Sequence, residues 1–153
     1  MSGGLDEAFR GSYFSTNKYI FKDRRITPEN ITKLKENEIF VFGSNTEGRH
    51  GKGAAKTSLK WGAIYGQGFG IQGQTYAIPT KNGNFKVLPI NEIKPYVDNF
   101  IDYAGENQDK IFLVTEIGTG LAGLKHENIA PLFKNAKFLI NVYLPEKFWK
   151  YII

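Results

Sequence analysis

Two short stretches, Ile39–Gly43 (IFVFG) and Ile111–Thr115 (IFLVT), carry no charge and no side-chain amide, and each opens directly into a glycine-rich loop. A strand with one wet face alternates apolar and polar residues. These stretches do not, so they fit strands covered on both faces, as in parallel sheets. Helical patterns lie around them. Ile26–Glu36 (ITPENITKLKE) reads as a short helix, with Thr27 as N-cap, Pro28 in the first turn, and Ile31 and Leu34 on one face. Ala54–Trp61 (AAKTSLKW) reads as a second helix and Thr75–Pro79 (TYAIP) as another strand. Asn91–Ala104 is helical with Pro95 in its first turn. His126–Lys137 is a helix shortened or kinked by Pro131. Phe138–Pro145 (FLINVYLP) is the last clear strand, and residues 146–153 (EKFWKYII) form a final amphipathic helix. Strands alternating with helices predict an α/β layered domain with a mainly parallel sheet.

With 153 residues, 41% of them hydrophobic, the chain has the size and composition of one domain with one sizeable core. We therefore expect a single domain over residues 1–153. Residues 1–25 carry the weakest pattern, and the aromatics flanking Thr16-Asn17 are compatible with a hairpin or extension. The chain has no cysteine, which removes disulfides, thiol catalysis and cysteine-based metal sites. Two histidines without cysteine also make a zinc site unexpected, and no metal or cofactor is expected. The first residues lack an apolar signal-peptide core. The longest uncharged run, residues 61–80, holds five glycines, three glutamines and a proline, and so makes a poor membrane span. A cytoplasmic protein without membrane contact is the expectation. The net charge of +5 favours anionic partners, either nucleic acid or phosphorylated metabolites, or it reflects an ordinary excess of lysine.

Nine of the 17 glycines lie between Gly43 and Gly73, and Gly118, Gly120 and Gly123 form a second cluster. Both clusters begin where a buried strand ends, and in open α/β sheets ligands sit in the crevice beyond those carboxyl ends. The two loops should therefore face one cleft. In the first, GSNTEGRHGKGAAK, glycines let backbone amides approach a ligand, and the loop then opens a helix, an arrangement that suits an anion. Arg49 and Lys52 add positive charge. The spacing is neither that of a P-loop nor that of the dinucleotide fingerprint. The alternative is that these glycines serve tight turns alone. Asn45 either hydrogen-bonds a ribose or caps its turn. In the second loop, Gly118-Thr119-Gly120 offers amides and a hydroxyl to an anion, or forms a plain strand-to-helix turn. The intervening stretch, Tyr65–Gln74, is either an ordered flap presenting Tyr65 or Phe69 to a base or a linker. His50, in the first loop, is the better candidate for a general acid or base, and His126 is placed to cap a helix. Glu47 and Glu116 are loop carboxylates able to polarise water.

FVFGSNTEGRHGKGAA, GAIYGQGFGIQGQTYAIPTK and IGTGLAGL occur in this order. Together they resemble a group of small bacterial and phage proteins related to macro domains, the ADP-ribose-binding fold, over about residues 36–144. The resemblance implies a three-layer α/β/α fold with a mixed, mainly parallel sheet. It implies a ligand such as ADP-ribose or a related nucleotide, free or attached to protein or nucleic acid. Gly43, Ser44, Asn45, Gly51, Lys52, Gly53 and Ala54 would lie along the ribose and diphosphate. Ile117, Gly118, Thr119, Gly120 and Leu121 would wrap the diphosphate through backbone amides. Asn141 and Tyr143 would fall near the adenine end, and Asp23 is a candidate for the aspartate that contacts adenine. Some relatives hydrolyse a bond or phosphate at the distal ribose, a role that would fall to His50 with Asn45 orienting the sugar. The aspartate that follows the glycines in many de-ADP-ribosylating macro domains is replaced here by Ala54 and Ala55. That departure points instead to a non-catalytic module that binds or sequesters a nucleotide signal. A basic protein associated with nucleic acid is the third reading.

Overall fold

The computed structural model describes residues 25–152. Its centre is β1 (Glu38–Asn45), whose residues Ile39–Phe42 are all buried. β1 pairs in parallel with β3 (Thr75–Lys81) on one side and β4 (Ile111–Val114) on the other. β5 (Val142–Tyr143) extends the sheet in parallel beyond β4, and β2 (Gly70–Gln72) closes the opposite edge in antiparallel fashion. The order is β2-β3-β1-β4-β5, a mixed and mainly parallel five-stranded sheet.

Period-two alternation sends successive β1 residues to opposite faces. Ile39 and Val41 join Tyr76, Ile78, Phe112 and Val114 on the face covered by α2 (Ile90–Glu106) and by the C-terminal elements. Phe40, Phe42 and Ala77 turn the other way, towards α1 (Gly53–Ser58), the 3₁₀ turn Leu59–Trp61 and the segment carrying Ile31 and Leu34. Helices on both faces make the domain a three-layer α/β/α structure, as expected from the sequence. No helix among the described residues is long and apolar enough to cross a membrane.

α2 buries Ile93, Val97, Phe100 and Ala104, one residue per turn. It begins one residue earlier than expected, and Pro95, its sixth residue, lies in the second turn and not in the first. There the proline removes one i→i−4 hydrogen bond. After β4 the chain forms α3 (His126–Ile129) and then passes into a 3₁₀ helix, Ala130–Phe138, at the residue before Pro131. α4 (Glu146–Trp149) is the last helix among the described residues and buries Phe148 and Trp149, and the final amphipathic helix expected over 146–153 stops there.

Three local expectations are corrected. Residues 26–36 form no helix. Ile26 makes a parallel bridge to Leu144, and the Thr27 amide donates to the Leu144 carbonyl at 2.9 Å, so the start of the segment is extended. The strand expected over 138–145 shrinks to Val142–Tyr143, because Phe138 still belongs to the 3₁₀ helix and residues 140–141 turn into the sheet. β2 forms inside the stretch Tyr65–Gln74, for which the sequence pattern offers only a flap or a linker. The possible hairpin over 13–21 and Asp23 lie outside the described residues.

Candidate functional site

At the carboxyl end of β1 the chain must leave the sheet and turn back into α1. Asn45 organises this turn. Its Oδ1 accepts from the Arg49 amide at 2.9 Å and its Nδ2 donates to the Arg49 carbonyl at 3.1 Å. The Gly48 amide donates to the Asn45 carbonyl at 2.9 Å. Both ends of the Asn45 amide are thus spent on the loop, which is a capping role, and the side chain is almost fully buried.

The turn lies directly against the stretch 64–72. The Gly66 amide donates to Gly48 O at 2.8 Å, and the Ser44 hydroxyl donates to Gly68 O. Backbone meets backbone here. A Cβ on Gly48 would stand 2.3 Å from Gln67 N, and one on Gly68 would stand 2.5 Å from Asn45 O. Gln72 adds two bonds, accepting from the Ile64 amide at 2.7 Å and donating to Gln67 O at 3.0 Å. The stretch is therefore hydrogen-bonded to the first loop and to itself. Tyr65 lines the cleft described below, whereas the Phe69 ring packs near Tyr96 at 5.7 Å.

The second loop leaves β4 through Thr115, whose hydroxyl donates to Val41 O at 2.8 Å. It folds on itself: Thr119 returns both its amide (3.4 Å) and its hydroxyl (3.0 Å) to Glu116 O, and the Leu124 amide donates to Gly118 O at 2.7 Å. The amides of Gly118, Leu121 and Ala122 donate to no group among the described residues. The two loops touch. A Cβ on Gly43 would lie 3.5 Å from Ile117 Cγ2 and 3.6 Å from Gly118 N, and one on Gly53 would lie 3.7 Å from Leu121 Cδ1.

Between the loops lies a cleft of about 710 Å³. From the first loop it is lined by Gly43, Ser44, Asn45, Gly51, Lys52, Gly53 and Ala54, and from the second by Ile117, Gly118, Gly120 and Leu121. The placement of both glycine loops on one crevice at the strand ends is thus observed. Two residues expected along the diphosphate and distal ribose are not brought to it. Thr119 is not among the lining residues, because its hydroxyl is turned back into its own loop. His50 is 1% exposed and lies behind the wall, edge-on to Phe42 at 5.2 Å, with Nε2 donating to Gln67 O at 3.1 Å. Its other ring nitrogen, Nδ1, has no hydrogen-bond partner among the described residues. In this position His50 holds flap to loop and does not face the cleft.

Other lining residues are not among those expected from the sequence. Thr80 and Lys81 end β3 in the same crevice, and Phe85 follows them in a tight hairpin. Lys81 is marked in the sequence by its place at the end of a third parallel strand; nothing in the pattern marks Phe85. Arg49, Lys52 and Lys81 supply positive charge, against one lining carboxylate, Glu116. Glu116 Oε1 accepts from His126 Nε2 at 2.9 Å, an ion pair when the imidazole is protonated. A second hollow of about 370 Å³ adjoins the first and shares Ala54, Thr115 and Glu116 with it. It is walled by residues 26–31 and by Pro145, Glu146 and Lys147. Asn141 does not reach either hollow. It is buried, and its Nδ2 donates to the carbonyls of Ala104 (3.0 Å), Asn107 (3.3 Å) and Lys110 (3.1 Å), closing the C-terminus of α2. Tyr143 is half-buried in β5. No cluster of His, Cys, Asp or Glu among the described residues could hold a metal ion.

Compared with protein-family models, with curated proteins and with solved structures, the chain matches none.

Proposed function

We propose that this protein binds ADP-ribose or a related ADP-ribosyl nucleotide in the cleft between its two glycine-rich loops. The observation that carries this reading is the convergence of both loops on one 710 Å³ crevice at the carboxyl ends of β1, β3 and β4. A diphosphate there meets the backbone amides of Gly118, Leu121 and Ala122, which have no partner among the described residues, together with Arg49, Lys52 and Lys81. The adjoining hollow lengthens the site to dinucleotide scale and gives a base a place away from the diphosphate. The resemblance to macro domains points the same way. A free nucleotide, or one carried on protein or nucleic acid, fits a cleft that is open at its rim.

A hydrolytic step at the distal ribose is the second reading, and the Glu116–His126 pair favours it over the histidine expected from the sequence. Glu116 is the carboxylate that lines the cleft, and His126 holds it at hydrogen-bonding distance. The simpler function, binding without turnover, needs neither group. Thermal shift with ADP-ribose and ATP tests the binding reading: ADP-ribose should raise the melting temperature, ATP should do less, and no response at millimolar ADP-ribose would refute it. Incubation with ADP-ribose-1″-phosphate then separates the two. Release of phosphate that is lost in Glu116→Gln supports hydrolysis; absence of release supports binding alone.

A further inference from the structure

Phe85 is the one non-glycine residue among the described residues with a left-handed backbone, at φ +62°. That conformation is unfavourable for any residue with a Cβ. Here the hairpin enforces it. Asn82 Oδ1 accepts from the amides of Asn84 (2.8 Å) and Lys86 (3.1 Å), and the Phe85 amide donates to Asn82 O at 3.0 Å. The ring gains no core burial in return, since Phe85 is 51% exposed at the mouth of the cleft. A strained residue holding an apolar ring in water is a feature of ligand clamps. Two cations sit by this ring, Arg49 with Cζ 5.9 Å and Lys81 with Nζ 5.6 Å from its centroid. Tyr65, 65% exposed, lines the same cleft from the flap, edge-on to the His50 ring at 6.4 Å.

Exposed rings interleaved with cations are what an unpaired nucleic acid strand requires. Each base has a face to stack, and each phosphate carries a charge to neutralise. A duplex hides its base faces, and an acidic peptide would use the cations without the rings. We propose that the rim formed by Phe85, Tyr65, Arg49 and Lys81 is a binding site for single-stranded nucleic acid, with bases stacked on the two rings and phosphates held by Arg49 and Lys81. The net charge of +5 adds long-range attraction. The site shares Arg49 and Lys81 with the cleft assigned to the diphosphate, but its recognition of bases rests on Phe85 and Tyr65, which that assignment does not use.

The test is fluorescence anisotropy of the full chain with a short labelled oligothymidylate, titrated without ADP-ribose. Phe85→Ala and Tyr65→Ala should each weaken binding by roughly tenfold. Lys81→Gln should lower the salt dependence by about one phosphate contact, a slope change of roughly 0.7. Phe138 provides the control. It is more exposed than Phe85 (63% against 51%) and carries Lys137 at 5.2 Å from its ring, but it does not line the cleft. Phe138→Ala should bind as the parent does. Phe85→Gly separates stacking from folding. It relieves the left-handed strain, so it should melt no lower than Phe85→Ala while losing oligonucleotide affinity as fully. The proposal is overturned if the parent does not bind, if a duplex of the same length binds as tightly, if Phe85→Gly retains affinity, or if Phe138→Ala loses as much. ADP-ribose thermal shift on Phe85→Ala reads the floor separately, so each site can fail without the other.

Discussion

Gly51 and Gly120 differ physically from the other cleft glycines. An added Cβ at either would meet nothing within 4 Å, and neither has a left-handed φ. Gly51→Glu and Gly120→Glu should therefore fold with stability within about 0.5 kcal/mol of the parent, the usual range for surface changes. Each places a carboxylate in a cleft built for an anion, and ADP-ribose affinity should fall about tenfold or more. Calorimetric titration beside a melting curve checks both parts. Gly48→Ala is the opposite case: backbone atoms of the flap occupy the space its Cβ needs, so it should lower the melting point without adding charge. Glu116→Gln removes the one carboxylate from the cleft lining, and binding of the anionic ligand should tighten about fivefold.

Among the elements, α2 carries much of the core. Phe100 is fully buried, edge-to-face with Tyr76 (5.2 Å), Phe112 (5.6 Å) and Phe133 (6.3 Å). Phe100→Ala should cost about 3–5 kcal/mol, measured by urea unfolding. β1 and β4 could be read from the sequence because both their faces are covered, which removes alternation and leaves an unbroken apolar run. The loops could be read because glycine is the residue that permits backbone contact. The segment 26–36 could not, because its helical spacing is overridden by the bridge to Leu144. β5 could not, because Asn141 is needed to cap α2 and the chain turns there. Within the site, the glycines and Asn45 were legible as loop builders, but the burial of His50 was not. It depends on Gln67 and Phe42, which are distant in sequence or carry no local mark. Phe85 was invisible for the same reason: its strain exists only once the hairpin forms.

At the scale of the molecule, the sheet order sets what titrates. Tyr76 on β3 sits beneath α2, and its hydroxyl is pushed up to about 12, chiefly by burial and secondarily by Tyr103 and Asp102. Its usual value is 10.0. A raised value means that the folded state favours the neutral phenol. That contribution to stability is full below pH 10 and is lost as pH climbs through about 12. Urea unfolding followed from pH 9 to 12 should show the decline, and Tyr76→Phe should flatten it.

The central claim is that the two loops form one anion-binding cleft, and the most direct measurement is calorimetric titration of ADP-ribose into the full chain and into Gly51→Glu. A saturable single site in the parent that weakens about tenfold or more in the variant, with both proteins melting alike, is the expected result. Equal binding by the two proteins, or no heat and no stabilisation in the parent at millimolar ligand, would contradict it.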